Sequence, residues 1–447
     1  MMKPFQSSSQ SCVLRISLVL VMMLVAMDRA AVGQALPAAE ASPISTGFSL
    51  PTTLGTLQYA VSASQSLTWG YYGSQGAEGY SNVTGDLAYL SVSKRDPFSV
   101  VLSAGHSFSE SGYPAANFVN LGLSQVLNVG RWNMVLADSV SYLPETPTTG
   151  LSGIPGLGDL GVNPVQIGPD TPQGALTAYS NRVDNASTLS IQRQLTGKTS
   201  ANVSGSYILT RFVNNGNSSN TGLDGLDSDL IVGGGGFNHQ MSARTGFGGN
   251  YSYSRYTFSG SALGAVAPSF TSQTASAQFT HQFTRKWSMS AAAGPQWTTI
   301  NLAGQTEQLG AYADVSTGYS GHFYQTAASF VHSTNSGYGV AGGALSDGVS
   351  GSVGRIFAVV WNFSASAAYT HSSALPVPGV IPFTVNTTVA SAQVSRAIVR
   401  NLSGYASFTV EKQANTGLAT ADLFSGAAKV VGFGLTYSPS SKRIGRP

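Results

Sequence analysis

From Thr56 to Tyr437 the chain alternates between apolar and polar positions. Segments of about ten residues carry an apolar side chain at every second position, with Ser, Thr, Asn or Gly between. Val431, Phe433, Leu435 and Tyr437 are separated by Gly432, Gly434 and Thr436. Val359, Trp361, Phe363, Ala365 and Ala367 share one face, against Asn362, Ser364 and Ser366. Successive strand side chains point to opposite faces, so each such segment is a strand with one apolar and one polar face. The pattern predicts strands over 56–69, 80–93, 98–109, 117–129, 132–142, 181–194, 199–211, 227–240, 243–257, 270–283, 287–300, 307–319, 322–333, 346–354, 356–371, 385–397, 401–411 and 425–437. The Gly-rich stretches near Gly233–Gly236 and Gly337–Gly348 are hard to divide, so 16 to 18 strands fit.

Short and long connections alternate. Short ones fall at positions such as Gly130–Arg131, Thr196–Lys198, Met241–Ser242, Thr284–Lys286 and Gly354–Arg355. Long ones fall near 70–79, 143–180, 258–269 and 412–424. Strands with one face for lipid and one for water, closed so that no edge is left, are one of two solutions open to a chain crossing a bilayer. The predicted fold class is therefore all-β: a single transmembrane antiparallel β-barrel of about 18 strands, with short periplasmic turns and long outer loops. Asp138 breaks the pattern, because it falls on the face of Met134, Leu136 and Val140. A charge facing mid-bilayer is costly, so Asp138 is expected near the outer rim or at a bulge.

Composition narrows the picture. Charged residues are 9% of the 447-residue chain and Gly counts 52, whereas soluble domains carry about 25% charged residues. Residues 1–35 read as a signal peptide, with Lys3 and Arg15 before the apolar stretch Ile16 to Ala26 and small residues Gly33 and Ala35 for cleavage. The expected organisation is a signal peptide 1–35, a periplasmic stub 36–55, a barrel 56–437 and a periplasmic tail 438–447. The single cysteine, Cys12, leaves with the signal, so disulfides and thiol chemistry are not expected. Without Lys3, Arg15 and Arg29 the 22 bases become 19, and without Asp28 the 19 acids become 18, a net charge of +1. Many bases lie at short turns, such as Lys94, Arg131, Lys198, Arg285 and Arg400. Most acids are expected at long loops or outward strand ends, among them Glu78, Asp86, Glu110 and Asp422. No basic stripe exists, so nucleic acid is not an expected partner.

Enzyme motifs do not form. His106–Ser107, His332–Ser333 and His371–Ser372 are sequence neighbours, and strand neighbours point to opposite faces, so neither pair member can relay a proton to the other. No histidines stand at metal-ligand spacing, and Gly233–Gly236 lacks the Lys and Ser/Thr of a phosphate loop. No enzymatic activity, cofactor or metal is expected.

The signal peptide, the alternating strands and the closing strand Lys429–Tyr437 with its Phe433–Leu435–Tyr437 pattern resemble bacterial outer-membrane β-barrel proteins, in a porin-like way. The terminal pattern is similar to the signal read by barrel-insertion machinery, although Ser438–Pro447 follow it here. The resemblance implies an integral outer-membrane location, with outer-membrane lipid, lipopolysaccharide and the insertion machinery as partners. A barrel of this size holds an aqueous channel unless it is plugged, and the stub 36–55 is too short for a folded plug domain. The expected function is passive diffusion of small polar solutes. An alternative is the barrel partner of a polysaccharide export system, docking periplasmic partners on the basic turns. A second alternative is a closed structural or surface-binding barrel. The long loop Leu143–Ser180, stiffened by six prolines from Pro144 to Pro172, is a candidate constriction. Glu145, Asp159 and Asp170 would line it and favour cations, with Arg182, Arg211 and Arg255 as an opposing basic wall or as ordinary rim charge.

Overall fold

A computed structural model describes residues 55–70, 77–91, 96–109, 116–145, 180–213, 227–259, 261–262, 265–266, 269–301, 306–335, 343–357, 360–376, 384–417, 426–439 and 442–444. Eighteen long strands form one closed antiparallel sheet: β1 Gly55–Trp69, β2 Glu78–Ser91, β3 Phe98–Ser109, β4 Ala116–Val129, β5 Trp132–Glu145, β6 Ser180–Gln194, β7 Thr199–Val213, β8 Asp227–Gln240, β9 Thr245–Ser259, β10 Phe270–Thr284, β11 Trp287–Ile300, β12 Thr306–Ser320, β13 Tyr324–Asn335, β14 Ala344–Phe357, β15 Trp361–Ala374, β16 Thr384–Val399, β17 Leu402–Thr416 and β18 Gly426–Tyr437. Each strand pairs with the next, and β18 returns to β1 from Val61↔Tyr437 to Trp69↔Lys429. Lys442–Ile444 extends this seam by pairing with Gly55–Leu57. Closure gives the backbone amides partners within the wall, which hydrocarbon demands.

The alternation places side chains as the sequence predicts. On β17 the inward positions Tyr405, Glu411 and Gln413 are buried, while Ala406, Phe408, Lys412 and Ala414 are exposed on the outer face. On β2, Asn82, Thr84, Asp86 and Ala88 are buried inward, while Val83 and Leu87 face out. Trp132, Phe247, Phe283, Trp287, Tyr319, Tyr324, Phe357 and Trp361 are exposed on the outer wall at the ends next to the short turns. This aromatic girdle is what an interface between lipid and water selects. Arginines stack on it: Arg193 on Trp132 at 4.9 Å and Arg396 on Trp361 at 5.1 Å.

The short turns are closed by hydroxyls. Thr196 Oγ1 accepts the N–H groups of Lys198 and Thr199, and Thr284 Oγ1 those of Lys286 and Trp287. The β4–β5 turn instead uses Gly130 at φ +62°, which a two-residue hairpin loop favours. Glycine also opens space for inward rings. Phe118 is 2% exposed and lies over Gly105, where a Cβ would sit 2.3 Å from its Cζ. Tyr405 lies over Gly434 in the same way.

Three expectations are corrected. The turn foreseen at Gly354–Arg355 lies later, because β14 continues to Phe357, which pairs with Trp361. Arg355 can stay in the strand because its guanidinium stacks on Tyr324 and Phe357 at 4.5 and 4.2 Å. The stretch 258–269 is not bare loop, since Ser261–Ala262 pairs with Ala265–Val266. Asp138 is neither at the rim nor at a bulge. It is mid-strand on β5, both its ladders run unbroken, and it faces outward. Ser187 and Asn185 on β6 donate hydrogen bonds to its Oδ1, which lowers the cost of that position.

Candidate functional site

The lumen wall is built from the polar parity of the strands. At the closing seam it is a field of hydroxyls: Ser62, Ser64, Ser66 and Thr68 on β1, Thr84 on β2, Ser103 on β3 and Thr436 on β18, all buried. Ser62 bonds Thr84, Ser107 donates to Asn82, and Ser103 donates to Asp86.

Four acids with described side chains hold inward positions, Asp86 and Asp314 in the body of their strands and Asp184 and Glu411 nearer the long-connection end. Asp86 pairs across to Ala60 and Ser103. Asp184 accepts a hydrogen bond from Thr210 Oγ1 at 2.8 Å and is half-buried. Asp314 lies across from Ala292 on β11 and is also half-buried. Glu411 is 2% exposed between Val389 and Ala428, and neither of its oxygens has a hydrogen-bond partner among the described residues. The strand-borne bases with described side chains take the other parity. Arg193, Arg211, Arg255, Arg355, Arg396, Lys412 and Lys429 all share faces with outward apolar residues.

The outer mouth, at the long-connection end, has an unexpected construction. β12 pairs with β11 along its whole length, from Trp287↔Tyr319 to Ile300↔Thr306. With β13 it pairs only from Ser320↔Gln325 to Ala313↔His332. β13 itself stays paired with β14 as far as Asn335↔Ala344. Past His332, therefore, β13 leaves β12 and passes inside the wall. Thr334 donates from its N–H and its Oγ1 to Gln296 Oε1 on β11, each at 3.2 Å, and Thr298 lies 3.4 Å from it. Gln296 and Thr298 are inward residues, whereas Thr334 belongs to the outward parity of Phe330. One stretch of wall thus overlaps another.

The overlap continues in apolar contacts. Phe270 on β10 stacks on Tyr256 at a centroid distance of 4.3 Å. With Leu230, Phe258 and Ile300 these inward residues form a buried cluster that Leu375, just past β15, completes. Gly343, at φ +110°, fits against it, and a Cβ there would lie 2.5 Å from Phe270 Cε1. The mouth is narrowed from β13–β15 toward β8–β11.

The residues expected at the mouth fall in several places. Asp159 and Asp170 lie outside the described residues. Glu145 and Arg182 hold inward register positions near the outer ends of β5 and β6, with only their backbones described. Arg211 and Arg255 are not in the lumen. Arg211 is on the outer face, paired to Asp229 by a bidentate contact at 2.8 and 2.9 Å, with Tyr207 also donating to Asp229. Arg255 is exposed on the same face, across from Ile231. No basic wall opposes the acids from these two positions. Sequence parity already carried this signal: Arg211 shares its parity with Val203 and Leu209, and Arg255 with Tyr251 and Tyr253. Among the described residues no three His, Cys, Asp or Glu side chains converge as a metal site requires.

No family model and no curated protein matches the chain. Solved outer-membrane barrels are similar in outline. Pseudomonas aeruginosa OccK2 (OpdF) has a TM-score of 0.44 at 10% identity, covering 87% of this chain and 98% of that one. Pseudomonas aeruginosa OpdQ has 0.40 at 8%, covering 87% and 97%. The ferric citrate transporter FecA has 0.41 at 13%, covering 89% of this chain and 66% of its own. Scores this low add no weight to the strand ladder, which by itself shows a closed antiparallel barrel of eighteen long strands.

Proposed function

We propose that the protein is an outer-membrane channel through which small polar solutes diffuse passively, with a preference for cations. The apolar outer wall with its aromatic girdle supports the membrane setting. The observation that carries the cation preference is the split of charge across the wall: Asp184 and Asp314 are half-exposed inside, while the strand-borne bases with described side chains face outside. Acid-lined pores favour cations. The test is a reversal-potential measurement in planar bilayers under a potassium chloride gradient. Wild type should show cation selectivity, and Asp184→Asn with Asp314→Asn should move the reversal potential toward zero. An anion-selective wild type would falsify the preference.

A second reading, a closed barrel, has one observation in its favour. Inward side chains on β1–β3 and β16–β18 are buried rather than exposed to a wide lumen. The same bilayer experiment separates the two, because a closed barrel carries no current.

A further inference from the structure

The inner wall beside the closing seam holds a carboxylate that no described residue neutralises. Glu411 on β17 is 2% exposed, and neither of its oxygens has a hydrogen-bond partner among the described residues. It faces inward, across from Val389 on β16 and Ala428 on β18. The strands around it, β1 and β16–β18, carry no other acid, and their bases Arg396, Lys412 and Lys429 all take the outward parity. The nearest described inward acid, Glu78, is three strands away.

The polar groups near Glu411 offer oxygen. Gln413, the next inward residue of β17, and Thr387, directly across from it on β16, are both buried. The Thr387 hydroxyl donates to Gln413 Oε1 at 3.3 Å, so its proton is turned away from Glu411 and its lone pairs are left for another partner. Thr387 is diagonal to Glu411, a spacing of roughly 7–8 Å that a long side chain spans. Asn415 Oδ1, further along the same face, and Thr68 Oγ1 on β1 are also buried without a partner among the described residues. A buried charge is tolerated when it is paired or coordinates a metal ion. Zinc and the transition metals favour nitrogen or sulfur ligands, and calcium takes several carboxylates. One carboxylate among hydroxyl and amide oxygens balances a single hard positive charge.

We infer that Glu411 anchors a binding site for one alkali-metal ion on the inner wall, with the oxygens of Gln413 and Thr387 in its shell. The inference deepens the channel reading and rests on it for a hydrated path to the site. Binding itself requires no current, so the two can fail separately.

The experiment is infrared difference spectroscopy of the full-length barrel reconstituted in phosphatidylcholine at neutral pH, as choline chloride is exchanged for potassium or sodium chloride. Wild type should show a saturable shift of a carboxylate stretching band on exchange. Glu411→Gln should abolish that shift. Thr387→Val should keep it and raise the half-saturating potassium concentration about threefold or more, as the loss of one neutral ligand does. Heat-modifiable gel mobility reports the folding of each variant, and Thr387→Val carries the test if Glu411→Gln does not fold. A shift that survives in Glu411→Gln overturns the inference. So does a protonated carboxyl band, lost in Glu411→Gln, that is the same in choline and in potassium, because a proton would then neutralise the site. Saturation by magnesium at a lower concentration than by potassium also overturns it. A barrel that carries no current in bilayers yet shows the Glu411 shift fails the channel reading and upholds the site.

Discussion

Replacing Gln296 by Met should loosen the outer mouth. Gln296 is 5% exposed, and its amide is oriented by donation from Nε2 to Ser272 Oγ at 3.0 Å. That leaves Oε1 as the acceptor for both the N–H and the hydroxyl of Thr334, itself 7% exposed. Met keeps the length and bulk of the side chain but cannot replace that acceptor. A buried N–H left without a partner costs about 1–3 kcal/mol. Spent on the overlapped state alone, this shifts the balance between overlapped and separated wall by roughly 5- to 150-fold. Single-channel recordings of Gln296→Met should show a larger-conductance level that is rare in wild type. Gln296→Glu keeps an acceptor for both donors, and the Ser272 hydroxyl can turn to donate to it, so it should lack the larger-conductance level even where its carboxylate changes ion preference. Unchanged conductance in the Met variant, or an equal change in both, would refute the latch.

Other substitutions probe the wall itself. Gly105→Ala and Gly434→Ala put a Cβ within 2.3 Å of Phe118 Cζ and 2.5 Å of the Tyr405 ring, so each should destabilise the barrel by about 1–3 kcal/mol in urea refolding monitored by tryptophan fluorescence. A change below about 0.5 kcal/mol would mean that those rings have other places to go. Asp138→Leu removes a carboxylate from the lipid-facing wall and should leave stability unchanged or raise it by up to about 2 kcal/mol in the same assay. A clear loss would instead show that the hydrogen bonds from Ser187 and Asn185 outweigh the cost of the outward charge.

Most of the strands and their facing were legible because a period of two is a local property. Val431, Phe433 and Leu435 announce their face without knowledge of any partner. The turn at Gly354–Arg355 was misplaced because Gly followed by Arg is ordinary turn chemistry, and only the rings of Tyr324 and Phe357 make Arg355 acceptable inside a strand. The acids Asp86, Asp184, Asp314 and Glu411 all sit on polar parity, so a strict reading of alternation puts them in the lumen. Attention to the Pro-rich loop drew the candidate site away from them. The overlap of β13 on β11 was not legible at all. Nothing in Ser333–Asn335 distinguishes pairing with β12 from passing behind it, because that choice depends on Gln296, Phe270 and Leu375, distant in sequence.

The level at which the wall divides follows from the solvent around it. From Thr306 to Ala311, β12 has a ladder partner on one side only among the described strands, and Leu309 there is 72% exposed. An open strand edge is not tolerated in hydrocarbon, where each unmet amide costs several kcal/mol. Ala311 stands nine residues above Ser320, the short-turn end of β12, which is roughly 23 Å along the membrane normal after tilt. The free edge therefore begins close to the upper limit of the apolar band and runs upward into water, where its amides can be satisfied. Below it, from Ala313↔His332 downward, the ladder is continuous. Unzipping further would carry open amides into lipid at several kcal/mol per residue, against a cost of about 1–3 kcal/mol for releasing Thr334 from Gln296. Releasing Thr334 from Gln296 would therefore free the ends of β13–β15 at the mouth and leave the ladder from Ala313↔His332 downward intact.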